Sequence, residues 1–83
     1  MVPNKEIYDY ILKSNQLDDN SKKLFADTVS YIEKLISQNK QFDLELYKIY
    51  ITQIKGYELP TLEQFTRIIM LLNLCGYELN LIE

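Results

Sequence analysis

The chain has 83 residues, 47% of them hydrophobic, and no proline- or glycine-rich stretch, which favours a globular fold over disorder and predicts one domain over residues 1–83. It has no histidine and one cysteine, Cys75, so the usual Ser-His and Cys-His nucleophile pairs are excluded, and we expect no enzyme, metal site or cofactor. The chain has nine basic and twelve acidic residues, and Arg67 is the only arginine, so few cationic side chains could contact the phosphates of a nucleic acid.

Two helices are predicted in the first half of the chain. Pro3 suits a first helical turn and apolar residues follow at helical spacing, which predicts a short helix over residues 3–14, part of an N-terminal extension at 1–17. After a polar break, Asp18 or Asp19 can cap a second helix that reaches Ser37. Its apolar residues keep helical spacing: Leu24, Phe25, Val29, Ile32, Leu35 and Ile36.

Residues 41–55 carry a mixed signal. Phe42, Leu44 and Leu46 alternate as in a strand, and the tyrosine and β-branched residues there also favour strand. We predict a helix capped by Asp43, with strand over residues 42–51 as the alternative. The predicted buried face of this helix consists of Leu44, Tyr47, Ile51 and Ile54.

The sequence pattern in the last third of the chain predicts a capped helix followed by a short strand. Thr61 and Gln64 have the spacing of a capping box, and Gly76 can end the helix in the left-handed conformation. Residues 77–82 then alternate apolar and polar as in a half-buried strand. The helix has a wide apolar face, made of Leu62, Phe65, Ile68, Ile69, Leu71 and Leu72. We expect this helix to pack against the second helix.

This region resembles the end of Cro/C1-type (XRE) helix-turn-helix domains, above all HigA- and HipB-like antitoxins and small phage regulators. The resemblance rests on three patterns, P-T-L-x-x-F-x-x-I, L-x-L and Y-E-L-x-L, and covers residues 51–82. It implies a mainly α-helical, compact domain of four to five helices with a short C-terminal β-strand, in which residues 18–83 form the helix-turn-helix-like core. Residues 51–56 would be the end of the recognition helix and the glycine after it. Glu45 falls about where the family has its turn glycine.

Two functions fit this resemblance. The first is a DNA-binding transcription regulator or antitoxin-like repressor that reads operator DNA with the helix from Asp43. The second is a modulator that keeps the fold, has lost DNA reading and binds a protein such as a toxin or a repressor. The resemblance over residues 51–82 favours the first function, whereas low basicity, the single arginine and Glu45 in place of the turn glycine favour the second. We predict the regulator, with the protein-binding modulator as the alternative. The candidate DNA- or partner-binding residues are Tyr47, Lys48, Tyr50, Thr52, Gln53 and Lys55.

An exposed Leu46-Tyr50-Gln53 strip on that helix would suit a protein as well as a DNA groove. In HipB-like antitoxins the C-terminal strand pairs with its twin, so the resemblance implies a homodimer through Tyr77, Leu79 and Leu81. The alternative is a strand that folds back on its own chain. The lone cysteine and the lack of a signal-peptide pattern predict a cytoplasmic protein, with no membrane span and no small-molecule substrate.

Overall fold

The computed structural model describes residues 2–79 and is mainly helical, with a radius of gyration of 12.1 Å. The prediction of a mainly α-helical, compact domain is confirmed. The elements are α1 at Lys5–Lys13, α2 at Asp19–Ser37, α3 at Leu44–Ile49 with a π-helical turn at Tyr50–Ile54, and α4 at Leu62–Leu74. No strand occurs in the described part of the chain.

Side-chain caps stand at the start of all four α-helices, beginning with Asn4, which accepts a hydrogen bond from the backbone N–H of Ile7 at the start of α1. Asp18 accepts a hydrogen bond from the backbone N–H of Ser21 and starts α2, as its sequence position predicts. Asp43 accepts from two backbone N–H groups of the first turn of α3, so residues 44–49 are helical and the strand alternative was wrong. At α4, Thr61 and Gln64 form both hydrogen bonds of the predicted capping box, at 3.2 and 2.8 Å.

The π-helical turn at Tyr50–Ile54 changes which side chains after α3 lie in the core. Lys55 N–H donates to the carbonyl of Tyr50, a hydrogen bond that spans five residues instead of the usual four. Each residue of such a wider turn advances by a smaller angle than in an α-helix. Ile51 therefore stays in the core, whereas Ile54, predicted on the same buried face, is 71% exposed.

The core is one cluster that includes the N-terminal segment. Ile11 of α1 and Leu17 of the following loop are buried together with residues of all the later helices. Asn4 N–H donates to the carbonyl of Cys75, which joins the start of α1 to the end of α4. On α4, Phe65, Ile68, Ile69 and Leu72 are buried as predicted, but Leu62 is largely exposed. Three residues at 3.6 per turn place Leu62 about 60° from Phe65, at the edge of the buried face.

Three tyrosine hydroxyls from the second half of the chain hydrogen-bond to side chains of α2. The hydroxyls of Tyr57 and Tyr77 donate to the carboxylates of Asp27 and Glu33, each at 2.5 Å. Tyr47 reaches Thr28 in the same way inside the core. These contacts hold α3, the loop after it and the C-terminal segment against a single long helix.

No strand forms in the described part of the predicted C-terminal strand, residues 77–79, where a side chain of α4 binds the backbone. The side-chain amide of Asn73 binds both backbone groups of Leu79: the Leu79 N–H donates to Asn73 Oδ1 at 2.8 Å, and Asn73 Nδ2 donates to the Leu79 carbonyl at 3.2 Å. A side chain of α4 thus takes the place of a partner strand. Residues 80–82 of the predicted strand lie outside the described residues.

Candidate protein-binding surface

Tyr47, one of the six predicted binding residues, lies in the core. Its side chain is fully buried, its ring contacts those of Phe42 and Phe65, and its hydroxyl lies 2.5 Å from Thr28 Oγ1. Burial raises the pKa of Tyr47 to about 12. Tyr47 therefore positions α3 against α2 and offers no surface to a partner.

Two more of the predicted residues use their polar groups within α3. Lys48 Nζ lies 3.3 Å from a carboxylate oxygen of Glu45 and 5.8 Å from the centroid of the Phe65 ring. Thr52 lies in the π-helical turn and is half-buried, as Lys48 is. Its hydroxyl donates a hydrogen bond to the carbonyl of Lys48 at 2.7 Å. The positive charge of Lys48 is thus partly balanced by Glu45, and the Thr52 hydroxyl has an acceptor on its own helix.

The remaining three predicted residues reach the surface. Tyr50 is half-buried because its ring packs on that of Tyr31, with 4.6 Å between the centroids. Gln53 and Lys55 are exposed. Desolvation by burial raises the pKa of Tyr31.

Sequence reasoning missed one residue of this surface, Ile49. Leu46 is 58% exposed and Ile49 is 54% exposed, and a spacing of three residues places them on the same side of α3. Tyr50 and Gln53 lie in the π-helical turn that follows, and in the sequence the four residues stand at i, i+3, i+4 and i+7, which is the signal that could have identified the set. We call Leu46, Ile49, Tyr50 and Gln53 the α3 surface.

The connection between α2 and α3 differs from that of a DNA-reading helix-turn-helix. It comprises six residues, 38–43, because α2 ends at Ser37 and α3 begins at Leu44, whereas the motif usually has a turn of about three or four. The left-handed residue of this connection is Asn39, with φ of +56°. Glu45, which falls where the family has its turn glycine, lies in the first turn of α3.

The residues predicted to form a dimer contact their own chain. Tyr77 is buried and its hydroxyl is bound to Glu33, while the half-buried Leu79 is held by Asn73. Leu81 lies outside the described residues.

Comparisons with known proteins found no match. No family model, no curated protein and no solved structure matches the chain. Within residues 2–79, no helix is long and apolar enough to cross a membrane, and no group of three or more His, Cys, Asp or Glu side chains could hold a metal ion.

Proposed function

We propose that this chain is a small non-enzymatic regulatory protein that binds another protein through the α3 surface. The observation that carries the proposal is the pair Leu46 and Ile49, which are both more than half exposed on the outer side of a capped helix. Beside them lie the half-buried ring of Tyr50 and the amide of Gln53, and none of the four side chains is charged. Apolar residues next to tyrosine are typical of the centre of a protein interface.

The same side chains are poorly suited to reading DNA. Base edges are read mainly by hydrogen-bonding and cationic side chains, and phosphates by cations. On the α3 surface only Gln53 and the Tyr50 hydroxyl could make such bonds, and the neighbouring Lys48 is paired with Glu45. Burying Leu46 and Ile49 against a phosphate backbone would gain little, whereas burying them against an apolar protein surface would contribute directly to affinity.

The partner we propose is a protein with a complementary apolar face, such as a toxin or a repressor. This role agrees with the resemblance to helix-turn-helix regulators if the helix that reads DNA in that family serves here as a protein contact. The aromatic packing of Tyr50 on Tyr31 would keep the α3 surface rigid, which reduces the entropy lost on binding.

Capture from an extract of the native host tests this proposal. Wild-type protein should retain a specific protein, and a Leu46→Glu, Ile49→Glu double variant should lose it. Each side chain still has about half of its area to bury, worth roughly 1 to 1.5 kcal/mol, so affinity should fall by at least about 30-fold. Ile36→Glu is the matched control, because Ile36 is equally exposed, at 58%, but lies at the end of α2. Equal retention by the double variant and the control would contradict the proposal.

A DNA-binding transcription regulator is the second candidate function. The observation that favours it is the exposure of Gln53 and Lys55 at the end of the π-helical turn, where the resemblance to Cro/C1-type domains expects the end of the recognition helix. A gel shift with genomic fragments at low salt tests this function. If it is correct, Lys48→Glu with Lys55→Glu should abolish the shift, and added salt should weaken it. If no fragment shifts, DNA binding is excluded.

A further inference from the structure

Two helix ends in this chain are built from the same four residues, but one of them contains an extra residue. Gly-Tyr-Glu-Leu occurs at 56–59, after the π-helical turn, and again at 76–79, after α4. Each glycine has positive φ, and each tyrosine hydroxyl donates to a carboxylate of α2. After α4 the tyrosine N–H donates to the carbonyl five residues earlier, that of Leu72. After the π-helical turn it donates to the carbonyl six residues earlier, that of Ile51. The π-helical turn therefore adds one residue to an otherwise matching helix end.

The wider turn directs Ile54 away from the core. In an α-helix five residues advance by about 500°, so Ile54 would lie about 140° from Ile49, close to the direction of the buried Tyr47 at about 160°. A π-helix has about 4.4 residues per turn, so the same five residues advance by about 410° and Ile54 lies about 50° from Ile49. Leu46 lies at about 60° from Ile49. Ile54 is thus in line with Leu46, in agreement with its exposure of 71%.

The resulting set of side chains has the arrangement of a helix that binds in a groove. Such helices present apolar anchors at i, i+3, i+4 and i+7. Counted from Leu46, position i+7 is the polar Gln53, which in an α-helix would lie about 20° from Leu46. Here Ile54 lies in that direction instead, within about 10° of Leu46. It completes a convex row about 12 Å long, which we call the α3 ridge and which consists of Leu46, Ile49, Tyr50 and Ile54.

We propose that the α3 ridge binds in an apolar groove of the partner protein, with Ile54 as its last anchor. This inference rests on the proposed function, and it adds the shape of the partner and a further contact residue. None of the four side chains of the ridge is charged, so the groove should be apolar. A flat face would contact the convex ridge along a narrow line, whereas the walls of a groove bury its sides as well.

In its observed position Ile54 contributes little to the stability of its own chain. Most of its side chain is exposed, although an α-helical continuation of α3 would direct it to the side of Tyr47. Wider turns of this kind often occur at functional sites, and a local departure from ideal structure is expected where function requires it. The π-helical turn therefore serves the contact with the partner and not the core.

Urea denaturation tests the direction of Ile54 without the partner. Ile54→Ala should unfold at the same urea concentration as the wild type, because the side chain is mostly exposed. Ile51→Ala is the matched comparison, since the sequence pattern predicts both isoleucines on one buried face, and it should unfold at a clearly lower urea concentration. A similar decrease for both variants would place Ile54 in the core and overturn the proposal.

Affinity for the partner tests the contact made by Ile54. The probe is the protein that cross-links to a photo-reactive residue at position 46, after identification by mass spectrometry and purification. Ile54→Ala should weaken binding of this protein by about tenfold, because most of the side chain is still to be buried. Ile36→Ala, which removes an exposed isoleucine at the end of α2, should bind as the wild type does. Equal affinity of the Ile54→Ala variant and the wild type would overturn the proposal.

The positions of the cross-links on the partner test the groove. Photo-reactive residues at positions 46 and 54 should cross-link to the same protein, and the linked peptides should lie in one apolar groove of it. Adducts on a flat face, or with a second copy of this chain, would overturn the proposal. If position 46 cross-links to a protein and position 54 does not, the groove is refuted while the proposed function stands. If position 46 gives no protein adduct, both are refuted.

Discussion

The hydroxyls of Thr28 on α2 and Tyr47 on α3 form a buried hydrogen bond. Which of the two donates determines which substitution should destabilise the protein more. Thr28 Oγ1 lies 2.7 Å from the carbonyl of Leu24 and 2.5 Å from the hydroxyl of Tyr47. A carbonyl can only accept, so the single hydroxyl hydrogen of Thr28 goes to Leu24. Tyr47 must then donate to Thr28, and the two residues play unequal roles.

Removing each hydroxyl should therefore have a different cost. Tyr47→Phe removes a donor and leaves Thr28 still donating to Leu24, so it should lower the free energy of unfolding by about 0.5 to 1.5 kcal/mol. Thr28→Val leaves the Tyr47 hydroxyl buried without an acceptor and should cost about 1 to 3 kcal/mol. The double variant contains no unpaired hydroxyl, so its cost should be about 1 kcal/mol or more below the sum of the two single costs.

Urea denaturation followed by circular dichroism measures all three free energies at neutral pH, and an unchanged dependence on urea would show that the unfolding reaction is the same. Additivity within about 0.5 kcal/mol would refute the coupled pair. A Thr28→Val variant more stable than Tyr47→Phe would refute the assigned direction of the hydrogen bonds.

Three further predictions follow from packing, titration and backbone conformation. Burial, and then a hydrogen bond to a carboxylate, raises the pKa of Tyr57 and of Tyr77. Their contribution to the free energy of unfolding should therefore be complete below about pH 10, the pKa of an unfolded tyrosine, and should decrease as the pH rises above it. Tyr57→Phe should make this decrease smaller in urea denaturation measured at a series of alkaline pH values. Phe65→Ala should lower the free energy of unfolding by about 3 to 5 kcal/mol, and an unchanged melting temperature would contradict its burial. Alanine should be tolerated worse at Gly76 than at Gly56 in thermal melts: both have positive φ, but only at Gly76 would a Cβ lie 2.7 Å from a side-chain carbon, and equal melting temperatures would refute this close packing.

The helices could be predicted from the sequence because their signals are local. Asp18, Asp43 and Thr61 each stand just before a helix and bind its first turn, so the start of α2, α3 and α4 depends on a few neighbouring residues. The apolar spacing of α2 and α4 likewise predicts much of their buried faces.

What the sequence did not predict depends on contacts between distant parts of the chain or on departures from ideal helix geometry. The alternation after Gly76 resembles a strand, but whether such a segment pairs depends on its neighbour, which here is the side chain of Asn73. The exposure of Ile54 results from the π-helical turn, which helical spacing alone does not reveal. Tyrosine is a residue type that is common at binding surfaces, and only the contact of Tyr47 with Thr28 on α2 shows that Tyr47 belongs to the core.

Site-specific photo-crosslinking in the native host tests most directly whether the α3 surface contacts a protein. A photo-crosslinking amino acid replaces Leu46 in one variant and Ile36, which is equally exposed on α2, in the control. We expect an adduct at position 46 that protease removes and nuclease does not, and no such adduct at position 36. An adduct at position 46 that nuclease removes, or the same protein adducts at both positions, would contradict the proposed protein-binding role.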